Sequence, residues 1–134
     1  MLYGVGTDSI EIVRIRTAIQ KIGGRFVQKI FTDNEKEYCE SKRNPYESYA
    51  ARFAAKEAVL KALGMGLGGC KWTDVEIINQ ESGRPEVVLH GQAAQTASKK
   101  NIASVLISLS HDRERAVAFA VAVAFEEYSS EGVI

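Results

Sequence analysis

The segment RFAAKEAVLKAL (residues 52–63), followed by the glycine-rich segment GMGLGG (residues 64–69), decides how the rest of the chain is interpreted. Alanine, leucine, lysine and glutamate are strong helix formers, whereas Gly64 has the permissive backbone typical of a helix C-terminus. Upstream, Asn44 is a suitable N-cap and Pro45 suits the first helical position. We therefore predict one long helix that begins at Pro45, ends before Gly64, and carries a carboxylate and several cations.

Shorter elements flank this helix and together predict an α+β domain with a mainly antiparallel sheet packed against helices. Apolar patterns predict strands over residues 2–8, 73–79, 85–89, 102–110 and 115–125. The sequence also predicts helices over residues 10–22, 33–42 and 91–100, and a short helix or a turn over residues 25–31. Ser9 is the expected cap of the first, and Thr32 with Glu35 forms a capping box for the helix over residues 33–42. We treat residues 1–125 as one domain and residues 126–134 as a frayed tail.

The two C-terminal strands are almost continuously apolar, in ASVLISLS (residues 103–110) and AVAFAVAVAF (residues 116–125). Runs of this kind indicate that both faces of the hairpin are buried. Helices of the same domain can cover one face, so we expect the other face to form a subunit interface.

Composition excludes several classes of function. The chain has 134 residues and a formal net charge of +0, which disfavours a generic nucleic-acid binder. No apolar run approaches the roughly 20 residues of a membrane span, and residues 1–6 lack the basic start of a signal peptide. Cys39 and Cys70 make no disulfide framework, which favours a reducing compartment. We expect a cytoplasmic protein with neither nucleic acid nor membrane as a partner.

Two isolated carboxylates are candidate metal ligands: Asp8 at the end of the first strand and Glu57 within the long helix. Mg²⁺ is commonly held by one or two protein carboxylates, with phosphates and waters completing its octahedron. The alternative is structural, with Asp8 in a turn and Glu57 paired with Lys61, a pair worth only about 0.2–0.5 kcal/mol. Spacing alone favours the structural interpretation, because isolated acids are common.

The motifs, taken in order, resemble those of the 4′-phosphopantetheinyl transferases. Val5-Gly6-Thr7-Asp8 resembles the first signature of that family, and the Phe53-x-x-Lys56-Glu57-Ala58-x-x-Lys61-Ala62 block resembles the second. The short length and Ser108-Leu109-Ser110-His111 are similar to the holo-acyl-carrier-protein synthase branch. With this resemblance, which covers about residues 1–125, Mg²⁺ binding by the two acids becomes the preferred interpretation, although hard oxygen ligands suit Mn²⁺ as well.

The resemblance implies transfer of 4′-phosphopantetheine from coenzyme A to a serine of apo acyl carrier protein, a step of fatty acid biosynthesis. Asp8 and Glu57 would hold Mg²⁺, and Lys61 would stabilise added charge, since such chemistry is mostly positioning and electrostatics. The general base stays open between Glu57, Asp33 and a metal-bound water. The alternatives are another Mg²⁺-dependent enzyme acting on a nucleotide pyrophosphate, and a non-catalytic coenzyme A-binding oligomeric module.

The resemblance also implies a set of coenzyme A contacts. The set consists of Lys42, Arg43, Arg52, Lys61, Gly64, Pro85 and His111. Lys61 would contact the pyrophosphate, Pro85 would lie on the adenine side, and His111 would reach the nucleotide end from a neighbouring subunit. Judged from the residues alone, Arg52 and Lys56 could each pair with a nearby acid. The turn at Pro85 could equally be a plain hairpin turn, and Lys42 and Arg43 could merely favour a helix C-terminus. Asp112 follows the histidine where many relatives carry a small hydroxyl residue.

A basic stripe is the candidate docking surface for a protein partner. Arg14, Lys21 and Arg25 recur at spacings of seven and four residues, and Phe26 lies beside them. A solvated helix face is the usual explanation of such a stripe. Acyl carrier proteins are acidic helical bundles, so the resemblance supplies a partner that the stripe would steer electrostatically. It also implies a homotrimer with its sites at the subunit interfaces.

Overall fold

The computed structural model describes residues 1–126 and confirms the α+β class, because all the strand pairs in it are antiparallel. In chain order the elements are β1 (Leu2–Glu11), α1 (Ile12–Ile22), α2 (Gly24–Ile30), α3 (Asp33–Glu40), α4 (Pro45–Leu63), β2 (Val75–Asn79), β3 (Pro85–Leu89), α5 (Gly91–Lys99), β4 (Ile102–His111) and β5 (Arg115–Ala124). Two single 3₁₀ turns, Leu67–Gly69 and Trp72–Asp74, connect α4 to β2.

The strands form two sheets, one of three strands in the order β1-β5-β4 and one of two strands, β2-β3. The inner face of the larger sheet is built from small side chains that β5 contributes, namely Ala116, Ala118, Ala120 and Ala122. Helix α4 packs against this face with its own buried alanines, which include Ala54, Ala58 and Ala62. Because alanine is small, helix and sheet approach closely, and the core lies between them.

Two glycines bring β1 against α4. A side-chain carbon at Gly6 would lie 2.8 Å from the backbone nitrogen of Ala62 and 2.9 Å from Cβ of Lys61, and one at Gly4 would meet the carbonyl of Ala62. Real Cβ atoms do not tolerate such distances, so only glycine allows this crossing. The crossing sets where Asp8, two residues beyond Gly6, meets the helix.

The long helix begins and ends where its capping residues predict. The side chain of Asn44 accepts a hydrogen bond from the Tyr46 backbone at 3.2 Å, and Pro45 occupies the first position. Gly64 has φ 70°, the left-handed conformation of a helix C-terminus. The capping box of Thr32 and Glu35 on α3 is also confirmed.

Three predicted boundaries were wrong. Ser9 is not a helix cap: β1 continues to Glu11, because the ladder with β5 pairs Ser9 with Val117. The Ser9 hydroxyl instead accepts a hydrogen bond from Nε of Arg115 at 3.1 Å. Helix α3 ends at Glu40, two residues early, and the strand expected from residue 73 is preceded by a 3₁₀ turn. The tail at residues 126–134 lies almost entirely outside the described residues.

The outer face of the larger sheet is apolar and open in the single chain. Phe119 on β5 and Leu106 on β4 are 56% and 52% exposed, and Val5 on β1 is 66% exposed. The register places Phe119 opposite Ser108, and Val121 opposite both Val5 and Leu106, so these side chains form one patch.

Within residues 1–126 none of the helices has the length and apolar character that crossing a bilayer requires.

Candidate functional site

Asp8 and Glu57 meet although they come from different elements. Asp8 lies on β1 and Glu57 on α4, and their carboxyl groups are in hydrogen-bonding contact. Burial raises the pKa of Glu57, and the neighbouring Asp8 carboxylate raises it further. The structure therefore brings together the two acids that the sequence singled out, in surroundings that favour a cation between them.

Two cations complete the immediate surroundings of the acid pair. Nζ of Lys61 donates to the Thr7 carbonyl at 2.9 Å and lies 3.4 Å from Oδ1 of Asp8. Lys61 and Arg14 both act against the raised pKa of Glu57. The Lys61 side chain is 55% exposed, so its ammonium can also face a ligand in solvent. The structural alternative, in which Glu57 pairs with Lys61 alone, is thus replaced by a cluster of Asp8, Glu57, Lys61 and Arg14.

The acid pair opens onto a cavity of about 310 Å³. Its wall combines the two acids with Arg14 and Ile15 of α1, Phe26 of α2 and Phe53 of α4. Two residues predicted for carrier-protein binding, Arg14 and Phe26, therefore border the same cavity as the acids.

The donor set at the pair fits a hard divalent cation. Among residues 1–126 no group of three or more His, Cys, Asp or Glu side chains is arranged to share a metal. A metal here would be held by two carboxylates, which is the number that Mg²⁺ takes when substrate phosphates and waters supply its remaining ligands. A bound cation would also relieve the repulsion between two ionised carboxylates that are in contact.

Lys56 has a structural partner. Its ammonium is fully buried, 2.7 Å from Oε1 of Glu35, which is also fully buried. It also donates to the backbone carbonyls of Trp72 and Val75, while Glu35 accepts from the Ile77 backbone at 3.0 Å. The interpretation of Lys56 as the partner of a nearby acid is confirmed, and this pair ties α3, α4 and β2 together.

Arg52 does not join the acid pair. Its side chain is 3% exposed, stacks on Tyr38 with Cζ 4.0 Å from the ring centroid, and donates to Oδ1 of Asn79 at 2.5 Å. Its Nε has no hydrogen-bond partner in the described part of the chain. Arg52 lines a separate cavity of about 350 Å³, so any ligand contact it makes is at that place.

Three of the predicted coenzyme A residues are associated with the start of α4: Lys42 and Arg43 precede it in sequence, and His111 contacts its first turn. Nδ1 of His111 lies 2.9 Å from Oε2 of Glu47 in the first turn of α4, just after Lys42 and Arg43. Nδ2 of Asn44 holds the same carboxylate at 2.8 Å. Asp112 turns its carboxylate into the hairpin, where Oδ1 accepts from the Glu114 and Arg115 backbones at 2.7 and 2.8 Å.

The remaining two predicted coenzyme A residues, Gly64 and Pro85, lie at the end of α4 and at the start of β3. Gly64 ends α4 beside the ammonium of Lys100, which donates to the Leu63 carbonyl at 2.6 Å. Pro85 begins β3 and pairs with Asn79 in the two-stranded sheet. It lines a groove of about 480 Å³ that also contacts β4.

The basic stripe is divided between two helices. Lys21 lies near the end of α1, and a break at Gly23, which has φ 77°, separates it from Arg25 on α2. Arg14, Lys21 and Arg25 are all exposed. They therefore do not form one straight helix face, and of these three residues Arg14 is the one that lines the acid-pair cavity.

Glu47 and Lys100 were missed by the sequence analysis. Glu47 had a signal, because an acid at the third helical position completes a capping motif, but nothing local connects it to His111. Lys100 directly follows α5, and no local sequence signal connects it to α4, which it contacts in the folded chain.

Comparison with known proteins adds the family to this geometry. The family model described as the 4′-phosphopantetheinyl transferase superfamily matches residues 4–121. The chain is 52% identical over 123 residues to a holo-[acyl-carrier-protein] synthase of Desulforudis audaxviator. The aligned region covers 92% of this chain and 94% of that protein. This chain therefore belongs to the 4′-phosphopantetheinyl transferase superfamily.

Solved structures agree with this assignment. The crystal structure of holo-[acyl-carrier-protein] synthase from Neisseria meningitidis matches with a TM-score of 0.84 at 32% identity, over 91% of this chain and 98% of that one. A holo-(acyl-carrier-protein) synthase from Bacillus anthracis in complex with CoA (3′,5′-ADP) matches with a TM-score of 0.78 at 31% identity, over 93% and 99%. Within the superfamily, the chain groups with the holo-acyl-carrier-protein synthases.

Proposed function

We propose that this protein transfers 4′-phosphopantetheine from coenzyme A to a serine of apo acyl carrier protein and releases adenosine 3′,5′-bisphosphate. The observation that carries the proposal is the contact of Asp8 with Glu57 beside Lys61, in a chain of the transferase family. Residues 1–125 form the transferase domain. The product, holo acyl carrier protein, serves fatty acid biosynthesis in the cytoplasm, where thiols such as Cys39 and Cys70 stay free.

The reaction is an in-line displacement at the β-phosphorus. The serine oxygen forms a bond to this phosphorus while the bond to the bridging pyrophosphate oxygen breaks, and the electron pair leaves with adenosine 3′,5′-bisphosphate. Lys61 lies where it neutralises charge that develops on the phosphates. The serine proton goes to a base, and Glu57 is the candidate among the carboxylates considered, because Asp33 does not line the acid-pair cavity.

Asp8 and Glu57 would hold a Mg²⁺ ion. When bound, the ion neutralises the pyrophosphate and orients it for attack. Both carboxylates must be ionised to bind it, so the raised pKa of Glu57 makes metal affinity fall as the pH is lowered.

The nucleotide end of coenzyme A would be held by the cations around the start of α4. His111 pairs with Glu47 in the first turn of the helix, and the Lys42 ammonium lies 4.6 Å from the centroid of the Tyr38 ring. We assign Lys42, Arg43 and His111 to the 3′-phosphate. Arg52 and Pro85 would lie toward the adenine, in the cavities described above.

We propose a homotrimer, supported by the open apolar patch on the larger sheet. Phe119, Val121 and Leu106 belong to one face of β5 and β4 that helices of the same chain do not cover. Contiguous apolar surface of this kind marks an interaction site in soluble proteins.

The carrier protein would dock on the basic surface of α1 and α2 that is formed by Arg14, Lys21, Arg25 and Phe26. Arg14 and Phe26 connect this surface to the acid-pair cavity, which they line. Electrostatic steering by these cations raises the association rate with an acidic partner. We expect the double change Arg14→Glu and Arg25→Glu to raise the KM for carrier protein and leave the KM for coenzyme A unchanged in steady-state assays. Arg113→Glu, on the β4–β5 turn, is the matched control. An unaltered carrier KM in the double variant would rule this surface out.

Intact-mass spectrometry of apo acyl carrier protein tests the reaction directly. Incubation with this protein, coenzyme A and Mg²⁺ should add one phosphopantetheine group, and EDTA should prevent the gain. Hydrolysis of coenzyme A without carrier protein would point to another enzyme of nucleotide pyrophosphates. Binding of coenzyme A without any mass gain, across several carrier proteins, would leave only a binding module.

A further inference from the structure

Lys100 reaches the C-terminal end of α4 from a distant part of the chain. Its ammonium donates to the Leu63 carbonyl at 2.6 Å and lies 3.4 Å from the Gly64 carbonyl. A Cβ built on Gly64 would lie 3.3 Å from the same nitrogen. Its other neighbour is Tyr3 of β1, whose ring centroid is 5.8 Å away. The ammonium is therefore held against the last residues of the helix that carries Glu57 and Lys61.

The electrostatics of this helix end oppose a phosphate. The carbonyls that end an α-helix carry partial negative charge, equivalent to roughly half an elementary charge, and they favour cations. Yet Lys61, the proposed pyrophosphate contact, lies in the last turn of α4, and Gly64, another predicted coenzyme A residue, follows directly after it. An anion placed there meets the unfavourable end of the helix dipole unless another positive charge offsets it.

Lys61 is already engaged by other acceptors. Its ammonium donates to the Thr7 carbonyl and lies near Asp8, so part of its charge is used within the acid cluster. Lys100, in contrast, is directed at the carbonyls themselves. The two lysines have different local partners at the same end of one helix.

We propose that Lys100 is a positioning residue for coenzyme A: it neutralises the C-terminal end of α4 and so allows a pyrophosphate to bind beside Gly64. The inference rests on the proposed function, because it takes the ligand to be a pyrophosphate at this end of the helix. It assigns Lys100 a role through the helix end, without contact with the reacting atoms.

The experiment separates charge from hydrogen bonding. Lys100→Gln keeps a donor for the carbonyls and removes the charge, whereas Lys100→Arg keeps the charge. We expect Lys100→Gln to raise the KM for coenzyme A about two- to fivefold, the range of a helix-end charge, with kcat within about twofold. The KM for carrier protein should not change. Lys100→Arg should restore the wild-type KM, and Lys99→Gln, which alters the exposed neighbouring lysine on α5, should have no effect.

Two further measurements make the outcome decisive. The effect of Lys100→Gln should shrink in high salt, which screens exposed charges. A KM for coenzyme A equal to the wild-type value, with or without a lower Tm, would overturn the proposal. The dissociation constant of coenzyme A, measured by calorimetry without carrier protein, should rise in parallel with the KM. Binding needs no turnover, so the dissociation constant still tests the role of Lys100 if the wild-type protein transfers no phosphopantetheine. Absence of transfer by the wild-type protein would count against the proposed function and not against the role of Lys100.

Discussion

The surroundings of Glu57 oppose its charge. Burial and Asp8 raise its pKa above the unfolded value, so the folded protein holds a proton there more tightly than the unfolded chain does. The stability that this group contributes is therefore present below the unfolded pKa and is lost as the pH rises through the folded pKa. The acid pair thus costs the metal-free protein stability at neutral pH.

We expect Glu57→Gln to abolish transfer while raising the Tm of the metal-free protein at neutral pH. The Tm difference from wild type should shrink as the pH falls and disappear below about pH 3, where Glu is protonated in both states. Thermal melts across this range, with Glu37→Gln on α3 as the control, measure the effect. Wild-type turnover by Glu57→Gln would remove Glu57 from the site.

Lys56 and Glu35 form an ion pair without solvent contact, since both side chains are 0% exposed. Burial lowers the pKa of Lys56, although Glu35 favours its charged form. Removing one partner leaves the other charge buried, so we expect Lys56→Met to destabilise the fold by about 3–5 kcal/mol in urea unfolding. The exposed Lys36→Met should cost little.

A double variant, Lys56→Met with Glu35→Gln, should recover part of that loss, because the stranded carboxylate is then neutral. If Lys56→Met cost no more than Lys36→Met, the buried pair would have no role in stability.

At this scale the sequence predicted the acids better than their surroundings. Asp8 and Glu57 follow from the family motifs, and the structure brings them together, while their role as metal ligands stays a prediction. The partners of Lys56 and His111 could not be predicted, because Glu35 and Glu47 contact them only after α3 and β4 pack against α4.

The crossing of β1 over α4 is the element-scale feature that makes the site. At Gly6 the strand lies so close to the helix that a Cβ would meet the Ala62 nitrogen at 2.8 Å. We expect Gly6→Ala to push the two elements apart and to lower the free energy of unfolding by about 1–3 kcal/mol, as overpacking a core does. The same change should weaken Mg²⁺ binding, because it moves Asp8 away from Glu57.

Metal titration followed by Tm, together with urea unfolding, measures both effects of this change. Gly24→Ala is the control, since a Cβ there meets nothing within 4 Å. Full Mg²⁺ affinity in Gly6→Ala would show that the close crossing does not set the acid pair.

Elements with strong local signals were predicted well. Helix α4 has a cap at each end, and both caps are confirmed. The predicted end of β1 was wrong because residues 9–11 carry a helical pattern in the sequence. Antiparallel pairing with Val117 and Arg115 of β5 holds them in the extended conformation. Pairing between the two ends of the chain leaves no trace in the local sequence.

The open face of the larger sheet bears on the whole molecule. Phe119 is 56% exposed at its centre, between Thr7 and Ser108 on the neighbouring strands. We expect Phe119→Glu to prevent assembly, because a charge cannot be buried at an apolar interface without a partner. Analytical ultracentrifugation should show a trimer for wild type and a monomer for the variant.

Leu67→Glu, a change at an exposed apolar residue away from the sheet, should remain trimeric. A wild-type protein that sediments as an active monomer would contradict both the trimer and a site shared between subunits.

The length of α4 has a consequence for how such a trimer works. His111 is anchored at Glu47 in the first turn and Lys61 lies in the last, so about 21 Å of helix axis separates them. One nucleoside between two phosphates is much shorter than that. If both residues serve coenzyme A, one subunit must offer its histidine to one molecule and its acids to another. The three sites then form a closed ring in which no subunit holds a complete one, and a misfolded chain disables two of the three sites at once.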